Sequence, residues 1–324
     1  MLFRSLCLLL AFVFPALHAA DERALADQAI ALLQQGKTAE AIQLFEKALA
    51  ANPQSADARF NLALAYLHNR QFDETIRVVS VSNRLRAEDY ALLGAAHRAK
   101  GSFDTAAINM RRAVAMQPGN SDFAYDLALT LIDAGKSAEA VRLLESAAAK
   151  PEAPAKVFGA LGMASFMNGN LPRAELAYAK AIKMEPGAAD LHASLGDVWF
   201  GSGDFRKAAA EYTAATRLDP ANPDYHNKAG RNLLRLDQTA AAEAEFRNAL
   251  AADPHHADAL FNLGKIAGVA SKNAEAVTLL ERAVQSDPNH TEALYQLSLA
   301  YQRQGDREKA AATMQRFRDL KKQK

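Results

Sequence analysis

His255 and His256 stand side by side with Asp258 two residues on, the densest run of metal-ligating side chains in the sequence. Two adjacent imidazoles on a turn bind a divalent ion weakly. A tight site needs a second ligand pair at helical spacing, and none follows. His68, His97, His192, His226 and His290 are scattered singly, the pattern of surface histidines. The sequence contains no Gly-rich phosphate loop, no nucleophile elbow and no HExxH pair, so the expectation is a non-enzymatic chain with no catalytic residue, no metal and no cofactor. Asn289-His290-Thr291 is a glycosylation sequon, meaningful only in a secreting eukaryote. Cys7 is the one cysteine, so no internal disulfide is expected.

Cys7 lies inside MLFRSLCLLLAFVFPALHAA, which has Arg4, an apolar run from Leu6 to Phe14, then Pro15 and small residues ahead of Asp21 and Glu22. That order is the signature of a secretory signal peptide over residues 1–20, cleaved after Ala19 or Ala20. The run is shorter than the roughly 20 residues that span a bilayer, so an uncleaved membrane anchor is the alternative. Export places the remaining chain, 21–324, in a periplasm or outside the cell. Losing Arg4 takes Lys+Arg from 38 to 37 against 37 Asp+Glu. The mature chain is then neutral, with no global pull toward nucleic acid or an anionic membrane.

Half of the residues are apolar and 23% are charged, so the chain has enough apolar surface to fold. At 324 residues a single round core would be near its size limit. A periodic arrangement avoids that limit. Residues 189–220 read as two short helices: Leu195, Gly196 and Trp199 on the first, Gly203 at a turn, then Ala208, Tyr212 and Ala215 on the second before Pro220. The same offsets start at Glu22, Ala56, Ala87, Ser121, Ala155, Ala189, Pro223, Ala257 and Thr291, every step being 34 residues except a second unit three residues short.

Small residues recur at one position of the first helix (Gly94, Gly162, Gly196, Gly230, Gly264, with Ala29, Ala63 and Ala128) and alanine at one position of the second. They predict close helix approach. Phe45, Met110, Leu144, Tyr178, Tyr212, Phe246, Leu280 and Met314 are expected to fill the space between units. Gly36, Gly101, Gly135, Gly169, Gly203 and Gly305 are expected to take left-handed turns. Pro53, Pro118, Pro186, Pro220, Pro254 and Pro288 are expected to stop the second helices. The second unit lacks that proline and has Ser82 where alanine is usual, which predicts a short helix and a loop near 83–89. Pro151 and Pro154 mark either a hinge or ordinary variation between units. The last unit presents Arg307, Lys309, Arg316, Arg318 and Lys321, the polar outer face a terminal unit needs.

These offsets resemble the tetratricopeptide repeat, a helix–turn–helix of 34 residues, over about nine tenths of the chain. The resemblance implies an all-α, right-handed solenoid of nine units whose first helices line a concave groove for a partner peptide. Carried onto this sequence, the groove positions are apolar at Phe60, Leu64 and Leu67, at Tyr125, Leu129 and Ile132, and at Met163, Phe166 and Met167. They are acidic at Asp122, Asp126, Asp133, Asp190 and Asp197. They are basic or amide-bearing at Asn227, Lys228, Arg231 and Arg235, at Asn262 and Lys265, and at Gln296 and Arg303. The implied role is a protein-interaction scaffold of the cell envelope, or else an accessory subunit of an envelope enzyme, secretion or pilus system. A self-assembling solenoid is a third reading. The expected partner is a protein segment with an acidic stretch or C-terminal carboxylate, for which Arg231 and Asn262 supply donors. The match to the carboxylate clamp of chaperone-binding repeats is poor, with Asn227, Glu292 and Gln296 where that clamp has cations.

Overall fold

The computed structural model describes residues 20–322; the predicted signal peptide, residues 1–20, lies outside them except for Ala20. Those residues form eighteen α-helices and no strand. In order these are α1 Ala20–Gln34, α2 Thr38–Ala51, α3 Ala56–His68, α4 Phe72–Ser80, α5 Ala87–Ala99, α6 Phe103–Met116, α7 Ser121–Asp133, α8 Ser137–Ala148 and α9 Ala155–Met167. There follow α10 Leu171–Met184, α11 Ala189–Ser202, α12 Phe205–Leu218, α13 Pro223–Arg235, α14 Thr239–Ala252, α15 Ala257–Val269, α16 Asn273–Ser286, α17 Thr291–Gln304 and α18 Arg307–Lys322. The fold is an all-α solenoid. The chain divides inside α9, between Ala160 and Leu161, into two compact units, and not at the Pro151–Pro154 connection.

Within a hairpin, the small position of the first helix faces a large side chain sixteen residues on. A Cβ placed on Gly196 would stand 2.6 Å from Tyr212, on Gly162 2.7 Å from Tyr178, on Gly230 2.6 Å from Phe246, and on Gly94 2.6 Å from Met110. The large side chains expected to lie between units are therefore seated over the small residue of their own hairpin. Contact between hairpins is made partly elsewhere. Ala113 of α6 clusters with Phe123 of α7, and Ala215 of α12 with Tyr225 of α13. The alanine at the recurring position of the second helices, from Ala41 to Ala276, has no exposed surface.

The turns follow the expected chemistry. All six predicted glycines adopt positive φ, Gly203 at 82°, and Asp204 N–H closes the turn on Trp199 C=O at 2.9 Å. Arg70, Asp237 and Ser271 hold the same place in their repeats with φ of 60°, 59° and 60°. Gln71, Gln238 and Lys272 make the same closing bond. The turn is thus imposed by the hairpin, and where glycine is missing an L-residue is held in a conformation that strains it. Before the prolines, residues such as Asp219 (φ −137°, ψ 83°) have left the helical region, which the ring of Pro220 disfavours.

The irregular second unit is shorter than its neighbours, with α4 only nine residues long. Its loop covers 81–86, narrower than expected, because α5 already begins at Ala87. Arg86 explains this. Its N–H donates to Asp89 Oδ2 at 2.8 Å, closing the start of α5, and its guanidinium pairs with Asp57 at 2.8 Å.

Gly196→Ala tests the small-against-large contact. Overpacking against the Tyr212 ring costs about 1–3 kcal/mol, offset in part by the better helix propensity of alanine. A net loss of about 1–2 kcal/mol is expected as a lower denaturation midpoint in urea, and an unchanged or raised midpoint would refute it.

Candidate functional site

In each unit the odd-numbered helices touch one another as well as their hairpin partners. The pairs are α1 with α3, α3 with α5 and α5 with α7 in the first unit, and α11 with α13, α13 with α15 and α15 with α17 in the second. No even-numbered helix packs on the next even-numbered one among the described residues. Each unit therefore curves with its odd helices on the inner side, and side chains of those helices that avoid the core face inward.

In the first unit the inner apolar positions are only partly available. Leu64 is 7% exposed and belongs to the core with Leu62 and Leu67, so it is not a groove residue; the period that placed it inward also fits the packed side of α3. Phe60 is half-buried, with the Arg86 guanidinium 5.4 Å from its ring centre. Tyr125 is half-buried under the Lys156 ammonium, and Leu129 is half-buried. The acidic positions are neutralised by the chain itself. Asp122 pairs with Lys156 at 2.5 Å and Asp133 with Arg98 at 2.5 Å. Asp126 lies between these pairs, and burial pushes its carboxyl up to about 6 against the opposing pull of Lys156 and Arg98.

In the second unit Met163 and Phe166 pack against Tyr178, Leu195 and Val198 of the following helices, so they serve packing between hairpins; Met167 is exposed. Asn227 and Asn262 are 4% and 8% exposed, and Asn262 Nδ2 donates to Asn227 Oδ1 at 3.1 Å. Asn262 is thus spent on joining α13 to α15 and is not the carboxylate donor expected of it. Lys228 is also spent, paired with Asp197, whose other oxygen accepts from Tyr212 at 2.8 Å. Four cations remain exposed without a carboxylate partner among the described residues: Arg231 and Arg235 on α13, Lys265 on α15 and Arg303 on α17. Arg303 donates only to the Gly268 carbonyl, at 3.0 Å.

Family descriptions reading "Tetratricopeptide repeat" match residues 26–77 and 159–223, and residues 97–161. The middle TPR-like domain of cilia and flagella-associated protein 70 matches 195–321. The chain carries tetratricopeptide repeats. No curated protein sequence matches it. Among solved structures, a tetratricopeptide repeat protein from Parabacteroides merdae aligns with a TM-score of 0.60 at 14% identity, covering 72% of this chain and 94% of its own. The APC/C hetero-tetramer Cut9–Hcn1 gives 0.58 at 16%, covering 88% and 57%. Human IFIT1, a dimer with PPP-AAAA, gives 0.55 at 17%, covering 91% and 82%. At these identities the likeness is one of fold.

The histidines of these tetratricopeptide repeats have structural work that the sequence reading missed. His256 Nδ1 accepts from Ala259 N–H at 3.1 Å, capping α15, while Nε2 donates to Asp224 at 3.1 Å. His290 repeats the arrangement one unit on, with Ala293 N–H at 3.2 Å and Asp258 at 3.1 Å. Each ring staples the start of one odd helix to the start of the preceding one. An earlier signal was available: both histidines stand in the turn directly before a first helix, the cap position. His192 and His226 recur likewise, each with Nδ1 2.7 Å from a glutamate of its own hairpin, Glu211 and Glu245. No group of three or more metal-ligating side chains is gathered among the described residues.

The hydrogen bond to Asp258 raises the His290 imidazole above its usual value, and the same bond lowers the Asp258 carboxyl. A charged His290 keeps Asp258 and has Glu292 3.6 Å from Nδ1, but its protonated Nδ1 no longer accepts from Ala293 N–H. The raised imidazole contributes stability that is complete below its unfolded value, about 6.5, and lost as pH rises through the folded one. The lowered carboxyl contributes above about 4 and loses it as pH falls through its folded value. The difference in melting temperature between wild type and His290→Gln should therefore be largest between about pH 4 and 6.5 and shrink on either side. A difference that grows steadily toward alkaline pH would contradict the pairing.

Proposed function

We propose that this chain is a non-enzymatic protein-interaction scaffold that holds a segment of a partner protein against the inner side of its odd helices. The fold supports this reading because stacked hairpins present a long inward face. The observation that carries it is the contrast in the second unit. Lys228 is ion-paired to an acid of the chain itself, whereas Arg231, Arg235, Lys265 and Arg303 are exposed on adjacent odd helices and form no ion pair among the described residues, Arg231 sensing Asp258 only at longer range. Unmatched charge of one sign on an inward face favours a partner of the opposite sign, here an acidic segment or a C-terminal carboxylate. In the first unit, taken by itself, Phe60, Tyr125 and Leu129 are half-buried and offer separate apolar contact on its own odd helices.

We place this scaffold in the cell envelope, periplasmic or secreted, on the strength of the leader MLFRSLCLLLAFVFPALHAA. No helix among the described residues is long and apolar enough to cross a membrane. If the leader is removed, N-terminal sequencing of the exported protein should begin at Ala20 or Asp21. A chain retained in the membrane fraction with Met1 or Leu2 at its start would favour the anchored alternative.

For the binding face, a partner recovered from an envelope extract by the wild-type chain should be lost with the double substitution Arg231→Glu and Lys265→Glu. Both residues are exposed, so stability should change by no more than about 0.5 kcal/mol per site. Undiminished recovery by the folded variant would count against the basic face as the binding surface.

A further inference from the structure

Phe200, near the end of α11, and Phe205, at the start of α12, meet edge to face with centroids 5.4 Å apart and planes at 65°. Arg231 and Arg235, one turn apart on α13, lie over these rings. The Arg231 guanidinium is 5.7 Å from the Phe200 centroid and that of Arg235 is 4.8 Å from the Phe205 centroid. Both arginines are exposed and neither forms an ion pair with any described carboxylate. Asp258 senses Arg231 only at longer range. Like charges at this helical spacing repel. Each guanidinium thus sits within cation–π range of a ring, a contact in which a planar arginine fork differs from a lysine ammonium.

We propose that Phe200 and Phe205 hold Arg231 and Arg235 as two preset planar forks that grip carboxylates of an acidic peptide segment bidentately. The inference rests on the inner-face reading and adds that the site selects by geometry as well as by charge. In this arrangement Arg231 and Arg235 touch the ligand, Phe200 and Phe205 are positioning residues, and Lys265 contributes charge alone. Preset forks lose less freedom on binding than free side chains do, and a bidentate pair fixes direction as well as distance.

The test uses the full mature chain and a fluorescein-labelled decapeptide of alternating Asp and Ser, followed by fluorescence anisotropy at fixed salt, with an apolar decapeptide in parallel. Wild type should bind the acidic peptide. Arg231→Lys with Arg235→Lys, which keeps both charges, should weaken it about tenfold or more. Lys265→Gln should weaken it only about threefold. Phe200→Leu with Phe205→Leu should weaken it about fivefold without changing the salt slope, since no charge is lost. Equal binding by the lysine variant overturns the proposal, as does a wild type that ignores the acidic peptide yet binds a phosphopeptide or a single-stranded RNA of the same length. Binding of the apolar peptide alone, indifferent to both arginines, overturns this proposal and leaves the inner-face reading standing. No binding of either peptide removes both.

Discussion

A pair of helices of about fourteen residues buries too little surface to be stable alone. What allows this one to form is a position without room for a methyl group. Gly196 lets Tyr212 lie directly on the backbone of α11, and Gly94, Gly162, Gly230 and Gly264 do the same for Met110, Tyr178, Phe246 and Leu280. This contact fixes the crossing of the two helices, and with it the direction of every other side chain. Inward cations, buried alanines and turn residues all inherit their placement from it. Ala29 and Ala63 take the small position in the first two hairpins, in one core cluster with Phe45 and Val79.

Hairpins joined this way still need to be locked to each other, and the polar side chains do much of that. Arg86 to Asp57, Lys156 to Asp122, His256 to Asp224 and His290 to Asp258 each tie the start of one odd helix to the start of the one before it. The acid in each pair stands in the first turn of its helix, where the helix dipole already favours negative charge. A net charge of only +1 therefore conceals an uneven distribution. Most inward acids are ion-paired, Asp190 of α11 being exposed without such a pair, and α13, α15 and α17 carry the exposed cations Arg231, Arg235, Lys265 and Arg303.

The sequence made the repeat legible because glycine, alanine and proline have few alternatives at their positions. Gly203 must turn left, Pro220 must end a helix, and Ala208 must be small. Those constraints act within one hairpin and survive without knowledge of its neighbours. Contacts between hairpins were less legible. Asn262 has the phase of an inward donor, but its amide N–H is donated to Asn227, thirty-five residues away. Leu64, Met163 and Phe166 share their helical phase with truly inward residues, and only the packing of the next helix decides between core and surface. The capping histidines were misjudged for the same reason, since their aspartate partners lie thirty-two residues back.

One asymmetry has mechanical meaning. From α1 to α7 and from α11 to α17 successive odd helices touch, while among the described residues no successive even helices do, so each unit has a dense inner wall and a slotted outer one. Tension applied along such a unit can widen the outer slots by small rotations of hairpin on hairpin, leaving the Gly196–Tyr212 type of contact intact. Resistance then comes from sliding on the inner wall alone, and each unit behaves as a leaf spring, stiff against shear and compliant in curvature.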